Sequence, residues 1–286
     1  MKRTNVLKAA LASLACLISA AAYADVSPAS ISPDIAATID REWKSYIEPL
    51  LPLGAKAASL MSNPDDPQQR YELYQQLFKM MSAAYLGMFV GDEAHPDFWP
   101  IFNQAYNQGS ANPDDAYYVA SLDGRGIYQI KGVRGTVRLI DFQIGSGQFY
   151  ARGQGGMMPT FNNYDVDDLH VGKDGSFSVI LSSERPAGYQ GDWWKLDPRS
   201  EYVIVRQTAY DWSKEVDGRF GIQRLDTSAI KPRLTPDEIA GNLRKIAIAA
   251  DNWTRIPTGR LKSYVPDGLI NKVEVRLRAL LNKQVR

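Results

Sequence analysis

Cysteine is nearly absent from this chain. Cys16 is the only one in 286 residues, and it falls in a segment expected to be removed. Without it the chain forms no disulfide, no thiolate metal site and no cysteine nucleophile, so its core alone must stabilise it. Histidine is scarce too, with His95 and His170 the two present. Ser-His-Asp chemistry needs one of them as base. No Gly-x-Ser-x-Gly elbow is present, and Gly145-Ser146-Gly147 reads as a turn. Phosphate and dinucleotide fingerprints are missing. Gly153-Gln154-Gly155-Gly156 neither opens a helix nor carries a Lys-Ser/Thr partner, so it reads as a loop. No cofactor is expected. A charge excess is also lacking. Lys2, Arg3 and Lys8 lie in the removable segment, which leaves 30 basic against 32 acidic residues, a net −2. That balance excludes a nucleic-acid partner held by phosphate contacts. No cationic amphipathic helix points to a membrane surface. No stretch after the N-terminus is long and apolar enough to span a bilayer, which takes about 20 residues.

What is present begins with an export pattern. Lys2, Arg3 and Lys8 form a positive region, Ala9 to Ala21 is uncharged and mostly apolar, and Ala22-Tyr23-Ala24 supplies the small residues of a cleavage site. Ser13-Leu14-Ala15, ahead of Cys16, lacks the large aliphatic residue of a lipid-attachment box. Residues 1–24 are therefore expected to be a signal peptide cleaved after Ala24, and the mature chain to be periplasmic. A cysteine-free exported domain fits a bacterial periplasm best.

The mature chain reads as a helical N-terminal region over residues 25–110, a β-sandwich over 111–230 and a C-terminal helical extension over 231–286. Ser32-Pro33-Asp34 begins a helix that should stop near Pro49 and Pro52. Asp66-Pro67-Gln68-Gln69 has the cap, the proline and the glutamine of a capping box. From there Leu73, Leu77, Met81, Ala84 and Met88 recur at helical spacing, joined by Tyr74, Phe78 and Tyr85. Thr235-Pro236-Asp237-Glu238 opens another helix, expected to reach about Asn252, and a last one is expected over Leu269 to Leu281. Between the helical zones, strands are predicted at Tyr117–Leu122, Ile127–Lys131, Thr136–Ile144, Ser176–Leu181, Tyr202–Tyr210 and Phe220–Leu225. Glycine-rich turns such as Lys173-Asp174-Gly175 separate them. No helical pattern alternates with the strands, which argues against a parallel α/β sheet.

The most informative strand runs from Glu201 to Trp212. Alternation puts Tyr202, Ile204, Arg206, Thr208, Tyr210 and Trp212 on one face and the smaller Val203, Val205, Gln207, Ala209 and Asp211 on the other. The first face could line a cleft for a ligand with polar groups on an apolar frame. Packing beneath the helices, with Arg206 paired to an internal carboxylate, is the commoner arrangement for such a face. Trp193-Trp194, beside Gly188 and Gly191, reads as a stacking platform or as a plug over the end of the sandwich. His170 follows Asp165, Asp167 and Asp168 and is read as a loop histidine. His95 sits among Asp92, Glu93 and Asp97, but the spacing matches no zinc or calcium pattern, so no metal is expected.

Several of these segments together are similar to a known family. They are Asn112-Pro113-Asp114-Asp115-Ala116-Tyr117-Tyr118, Ser121-Leu122-Asp123-Gly124-Arg125, Tyr128-x-Ile130-x-Gly132-x-x-Gly135, Gly191-Asp192-Trp193-Trp194-x-Leu196 and Val205-Arg206 with Tyr210-Asp211-Trp212-x-x-Glu215. The chain resembles the bacterial domain of unknown function 1214 family over residues 40–230. It departs from the pattern at Asp115 and Asp192, where asparagine is usual. The resemblance implies a mainly β, jelly-roll-like antiparallel β-sandwich with N-terminal and C-terminal helices packed on it, α+β overall, and it implies no activity. Two functional expectations follow from the residues. In the first, a periplasmic protein binds a carbohydrate-like or amphipathic small molecule through Arg206, Tyr210, Trp212, Trp193 and Tyr118. In the second, a cofactor-free lyase, hydratase or glycan hydrolase uses the carboxylates Asp114, Asp115 and Asp211 with Arg206. A structural envelope protein with no small ligand is the third reading.

Overall fold

The computed structural model describes residues 32–61, 63–102, 112–147 and 159–264, with the backbone alone for 253 and 255–264. The signal-peptide segment, the Gly153–Gly156 run and the expected helix at 269–281 lie outside the described residues. The chain divides into two compact units, Met1–Ser45 and Tyr46–Arg286. The described part of the first unit belongs to helix α1 (Pro33–Ile47), where Ile35 N donates to Ser32 Oγ at 3.4 Å.

The second unit holds nine described strands in two sheets. The first sheet has the order β1 (Trp99–Pro100), β2 (Asp115–Ser121), β8 (Tyr202–Thr208), β4 (Leu139–Gly145), β5 (Thr160–Asp165). The second has the order β7 (Asp192–Lys195), β6 (Ser176–Ser182), β3 (Tyr128–Val133), β9 (Arg219–Arg224). The chain passes repeatedly from one sheet to the other, in the manner of jelly-roll-like sandwiches. All pairs are antiparallel except β6–β7, which run parallel. That one parallel pair lies at the edge of the second sheet, and the expected β-sandwich with packed helices holds. Residues 183–191 carry the chain back from Ser182 to Asp192, which pairs with Val179, so the return is short enough for a loop.

Alternation explains the layers. Ile140, Phe142 and Ile144 on β4 and Val203 and Val205 on β8 face the second sheet, where Tyr128, Ile130, Phe177, Val179, Leu181 and Trp194 meet them. Gly132 is needed at its place in β3, because a Cβ there would lie 2.4 Å from the Arg219 carbonyl and 2.7 Å from the Phe220 Cβ. Its absence lets the Phe220 ring sit edge-on to Phe98, Tyr118 and Phe142. The outer face of the first sheet carries the helices. Leu53 and Ala57 of α2 (Leu53–Ala58), Leu77, Met80 and Ala83 of α3 (Pro67–Phe89) and Ala250 of α4 (Pro236–Tyr264) pack on Trp99, Ile101, Val119, Tyr202 and Ile204. Helix α3 begins as its sequence dictates. The Asp66 carboxylate accepts from Gln68 N at 2.9 Å, which satisfies one backbone donor that a helix start leaves unpaired, and it also accepts from the Gln69 side chain, Nε2 at 3.2 Å. At α4, Thr235 N donates to Glu238 Oε2 and Glu238 N to Thr235 Oγ1, a reciprocal box. Its helical backbone runs on to Tyr264, beyond the expected end near Asn252. No described helix is long and apolar enough to cross a membrane.

Strands β1, β5 and β7 were not among those predicted. Conversely, β8 ends at Thr208 rather than Tyr210. After Ala209 N bonds the Asp114 carbonyl, the chain turns: Glu215 N reaches the Asp211 carbonyl, and Tyr210 N donates to Glu215 Oε2. The first sheet also begins upstream of residue 111, since Trp99 and Pro100 pair with Val119 and Tyr118.

Candidate functional site

The pairing register sets the site. Tyr117 on β2, Arg206 on β8, Asp141 on β4 and Asp165 on β5 lie in one row across the sheet. Residues directly opposite one another in a ladder share a face. The next row toward the helices is Val119, Ile204, Gln143 and Asn163; the row on the other side is Asp115, Thr208 and Leu139. The outer face of the first sheet is therefore divided. Its apolar end, with Val119, Tyr202 and Ile204, is buried under the helices. Its polar end begins at Arg206.

At that end the side chains form a network across the strands. Arg206 Nη1 donates to Asp141 Oδ2 at 3.1 Å and Nη2 to Gln143 Oε1 at 2.6 Å. Gln143 Nε2 donates in turn to Thr160 Oγ1 at 2.9 Å. On the other flank Asp115 accepts from Tyr117 Oη at 2.8 Å and from Thr208 Oγ1 at 2.6 Å. The Arg206 guanidinium lies 5.9 Å from the centre of the Tyr117 ring, which meets Phe102 edge-on at 4.6 Å. Arg206 remains 31% exposed while Asp141 is 12% exposed, so the cation reaches solvent and the carboxylate is underneath. Burial pushes the Asp141 carboxyl above its ordinary range; Arg206 and a hydrogen bond from Asn163 offset part of this, and the charge on Asp115 adds to it. Burial and the Asp115 carboxylate push the Tyr117 phenol up to about 12. The set combines one guanidinium with two carboxyl groups, two amides, two hydroxyls and a phenol. It can donate to and accept from a polyhydroxylated ligand, and an acid with a raised pKa lies beneath the cation.

The structure brings together part of the sequence-predicted set and separates the rest. Arg206 and Asp115 share the network. Tyr118 faces the interior and packs edge-on to Phe220 at 5.9 Å. Trp193 is in the second sheet, its Nε1 donating to Ser182 Oγ at 2.9 Å. Tyr210 and Trp212 follow the end of β8, and they are 75% and 66% exposed. The expected continuous aromatic face therefore stops at Thr208, because the turn held by Asp211 and Glu215 leads the chain off the sheet. Asp211 pairs with Lys214 at 2.9 Å and with Ser213, so it is a turn residue and not a core-facing one. Asp114 is exposed in the turn before β2. Asp141, Gln143 and Asn163 went unrecognised. Their signal was alternation, since Asp141 and Gln143 interleave with Ile140, Phe142 and Ile144.

Both histidines have structural partners. His95 Nε2 meets the Ser228 carbonyl at 2.9 Å, and its Nδ1 lies 3.4 Å from Asp92, which also pairs with Lys231. His170 Nδ1 is 2.6 Å from Asp192, rather than bonded to Asp165, Asp167 or Asp168. Among the described residues, no group of three or more His, Cys, Asp and Glu side chains is placed to hold a metal ion.

No protein-family model matches this chain, and no curated protein matches it. Among solved structures it is similar to an uncharacterized protein from Burkholderia cenocepacia, with 28% identity and a TM-score of 0.66. The alignment covers 77% of this chain and 59% of that protein, so this chain spans less than two thirds of its length. The VPA0106 protein from Vibrio parahaemolyticus aligns over 56% of this chain and 41% of its own length, with 14% identity and a TM-score of 0.29, too loose a superposition to carry an argument. The first likeness agrees with a β-sandwich carrying packed helices.

Proposed function

We propose that this chain is an exported, periplasmic member of the bacterial domain of unknown function 1214 family. In this reading it holds a carbohydrate-like or amphipathic small molecule against the polar end of the helix-bearing sheet. The observation that carries the ligand reading is the Arg206 network. Each of its side chains is oriented by a neighbour, on strands, before any ligand arrives, so little ordering entropy is lost on binding. With one cation among two carboxyl groups, the set favours neutral polyhydroxylated ligands over anions. The Tyr117 and Phe102 rings border it and offer an apolar frame. Support for export is the three-part N-terminus ending in Ala22-Tyr23-Ala24. Protein recovered from the periplasm should then begin at Asp25 on N-terminal sequencing; a chain retaining Met1 in the membrane fraction would refute cleavage after Ala24.

The ligand reading is tested by thermal shift against glycans, sterols and terpenoids. A true ligand at 100 times its Kd adds about 2.7 kcal/mol of stability. Thr208→Val and Gln143→Ala should each weaken that stabilisation while the free protein still melts cooperatively. No stabilisation by any of the three classes would sink the reading.

A second reading, a cofactor-free lyase, hydratase or glycan hydrolase, is favoured by Asp141. A carboxyl group whose hold on its proton is strengthened by burial can donate that proton, and Asp115, on the other flank of Arg206, can accept one. If this holds, Asp141→Asn abolishes turnover of a stabilising glycan yet keeps the thermal shift. Turnover that survives the substitution would exclude Asp141 as the acid.

A further inference from the structure

The second sheet turns its outer face away from the helices, which pack on the first. Its outward positions carry a diagonal of cations. Arg219 lies at one corner, on the edge strand β9. Lys131 comes next, diagonally across on β3, since Val133 pairs with Arg219 and Lys131 with Gly221. At the opposite corner is Lys195 on β7, beside Ser182. All three are exposed, and none makes an ion pair among the described residues. No outward position on these strands holds an acidic residue. Carboxylates lie at the rim: Asp174 is bonded to Ser176, Asp192 to His170, Asp197, which Lys195 feels, to Arg199, and Glu184 is in the loop after β6.

Between the cations the face mixes polar side chains with Val133, which is exposed, Ile180, which is buried, and one aromatic ring. Gln129 Nε2 donates to Ser178 Oγ at 3.1 Å, and Gln223 pairs with Gln129 in register and is exposed. Trp193 is in the same row, through Ile180. Its Nε1 is fixed by Ser182, and Arg185 lies 6.0 Å from the centre of its ring. From Arg219 to Lys195 the diagonal spans about 25 Å by strand rise and strand spacing.

We propose that this sheet face, on which no helix of the described second unit packs, is a binding surface for an acidic polysaccharide, separate from the Arg206 site on the other sheet. The cations match carboxylate or sulfate groups. The amides and hydroxyls between them match sugar hydroxyls, and the indole offers a stacking plane.

The test uses the full mature chain in native gels cast with polygalacturonate, with chondroitin sulfate or with neutral dextran. Either acidic polymer should retard the protein, dextran should not, and retardation should fall at least tenfold between 50 and 300 mM salt (~10-fold for a few released counterions). The triple variant Lys131→Gln, Lys195→Gln, Arg219→Gln should lose the retardation. A control with the same loss of charge elsewhere, Arg125→Gln, Lys214→Gln, Lys245→Gln, should keep it. Circular-dichroism melts confirm that both variants fold. The proposal is overturned by the absence of retardation in both acidic polymers, by equal loss in the two variants, or by capture on phosphatidylserine vesicles without polymer binding.

Discussion

Arg206 supports a buried neighbour, and this makes its removal dependent on pH. Burial raises the Asp141 carboxyl, and Arg206 works against that rise. A carboxyl group with a raised folded pKa costs stability as it ionises: the cost is absent below the ordinary carboxylate range and grows as pH rises through the raised folded value. Arg206→Gln removes the opposing attraction and leaves Asp141 ionised without a cation. Breaking a buried pair in this way costs about 3 kcal/mol at pH 7.5. At pH 4 Asp141 is more nearly neutral, so the loss should be clearly smaller. Urea melts of the variant and the parent at the two pH values measure the difference; an equal loss at both would mean that Asp141 does not feel Arg206. Tyr117, with its phenol pushed up to about 12, stays neutral throughout and leaves this comparison undisturbed. Arg206 was visible in the sequence because a guanidinium in an aliphatic strand is conspicuous. Its partner was not, because pairing across strands brings Asp141 to Arg206 from 65 residues away, and no local pattern encodes that register.

At the scale of elements, what was legible is what neighbours in sequence decide. The caps of α3 and α4 are satisfied within three residues of each start, and the six predicted strands recur because β-favourable residues alternate in them. Strand β5 contains Asn162-Asn163, poor strand formers that β4 pairs into place. Strand β7 has four residues and β1 two, too short for any period to show. The aromatic residues of α3 mislead in the opposite direction. Tyr74, Phe78 and Tyr85 repeat at helical spacing but are exposed, while Leu77, Met80, Ala83 and Ala84 are buried. Small side chains let the helix approach the sheet, and the rings occupy the wider outer arc. The cap can be tested directly. Asp66→Ala leaves the Gln68 N–H without its acceptor and should cost about 1 kcal/mol. The urea midpoint should fall at unchanged slope, and the exposed neighbour Asp65→Ala should change neither. An effect of the same size at Asp65 would point to helix-dipole charge in place of capping.

Across the whole molecule, the two sheets are unequally protected, and this ranks their strands. β8 is flanked by β2 and β4, so its backbone groups are bonded on both sides. Its Tyr202–Val205 half is also covered on both faces, by the second sheet through Val203 and Val205 and by the helices through Tyr202 and Ile204. Among the described strands β9 has β3 as its one neighbour, and Arg219, Gly221 and Gln223 on its outward face are exposed. Amides exchange through local openings whose free energy follows such coverage. In hydrogen exchange, peptides covering 202–208 should therefore be the slowest of the chain and approach the global unfolding limit. Peptides covering 219–224 should exchange through smaller openings, faster by at least an order of magnitude, about 1.4 kcal/mol in opening free energy. The same experiment bears on both binding surfaces. A ligand on the Arg206 network has little room to slow β8 further, so its protection should appear in β5, at the sheet edge beside Gln143. An acidic polymer on the second sheet should instead slow β9 and β7 and leave β5 unchanged. Equal rates in β8 and β9 without ligand would mean that the sandwich opens as one body, and the division between the helix-backed sheet and the other would have no energetic counterpart.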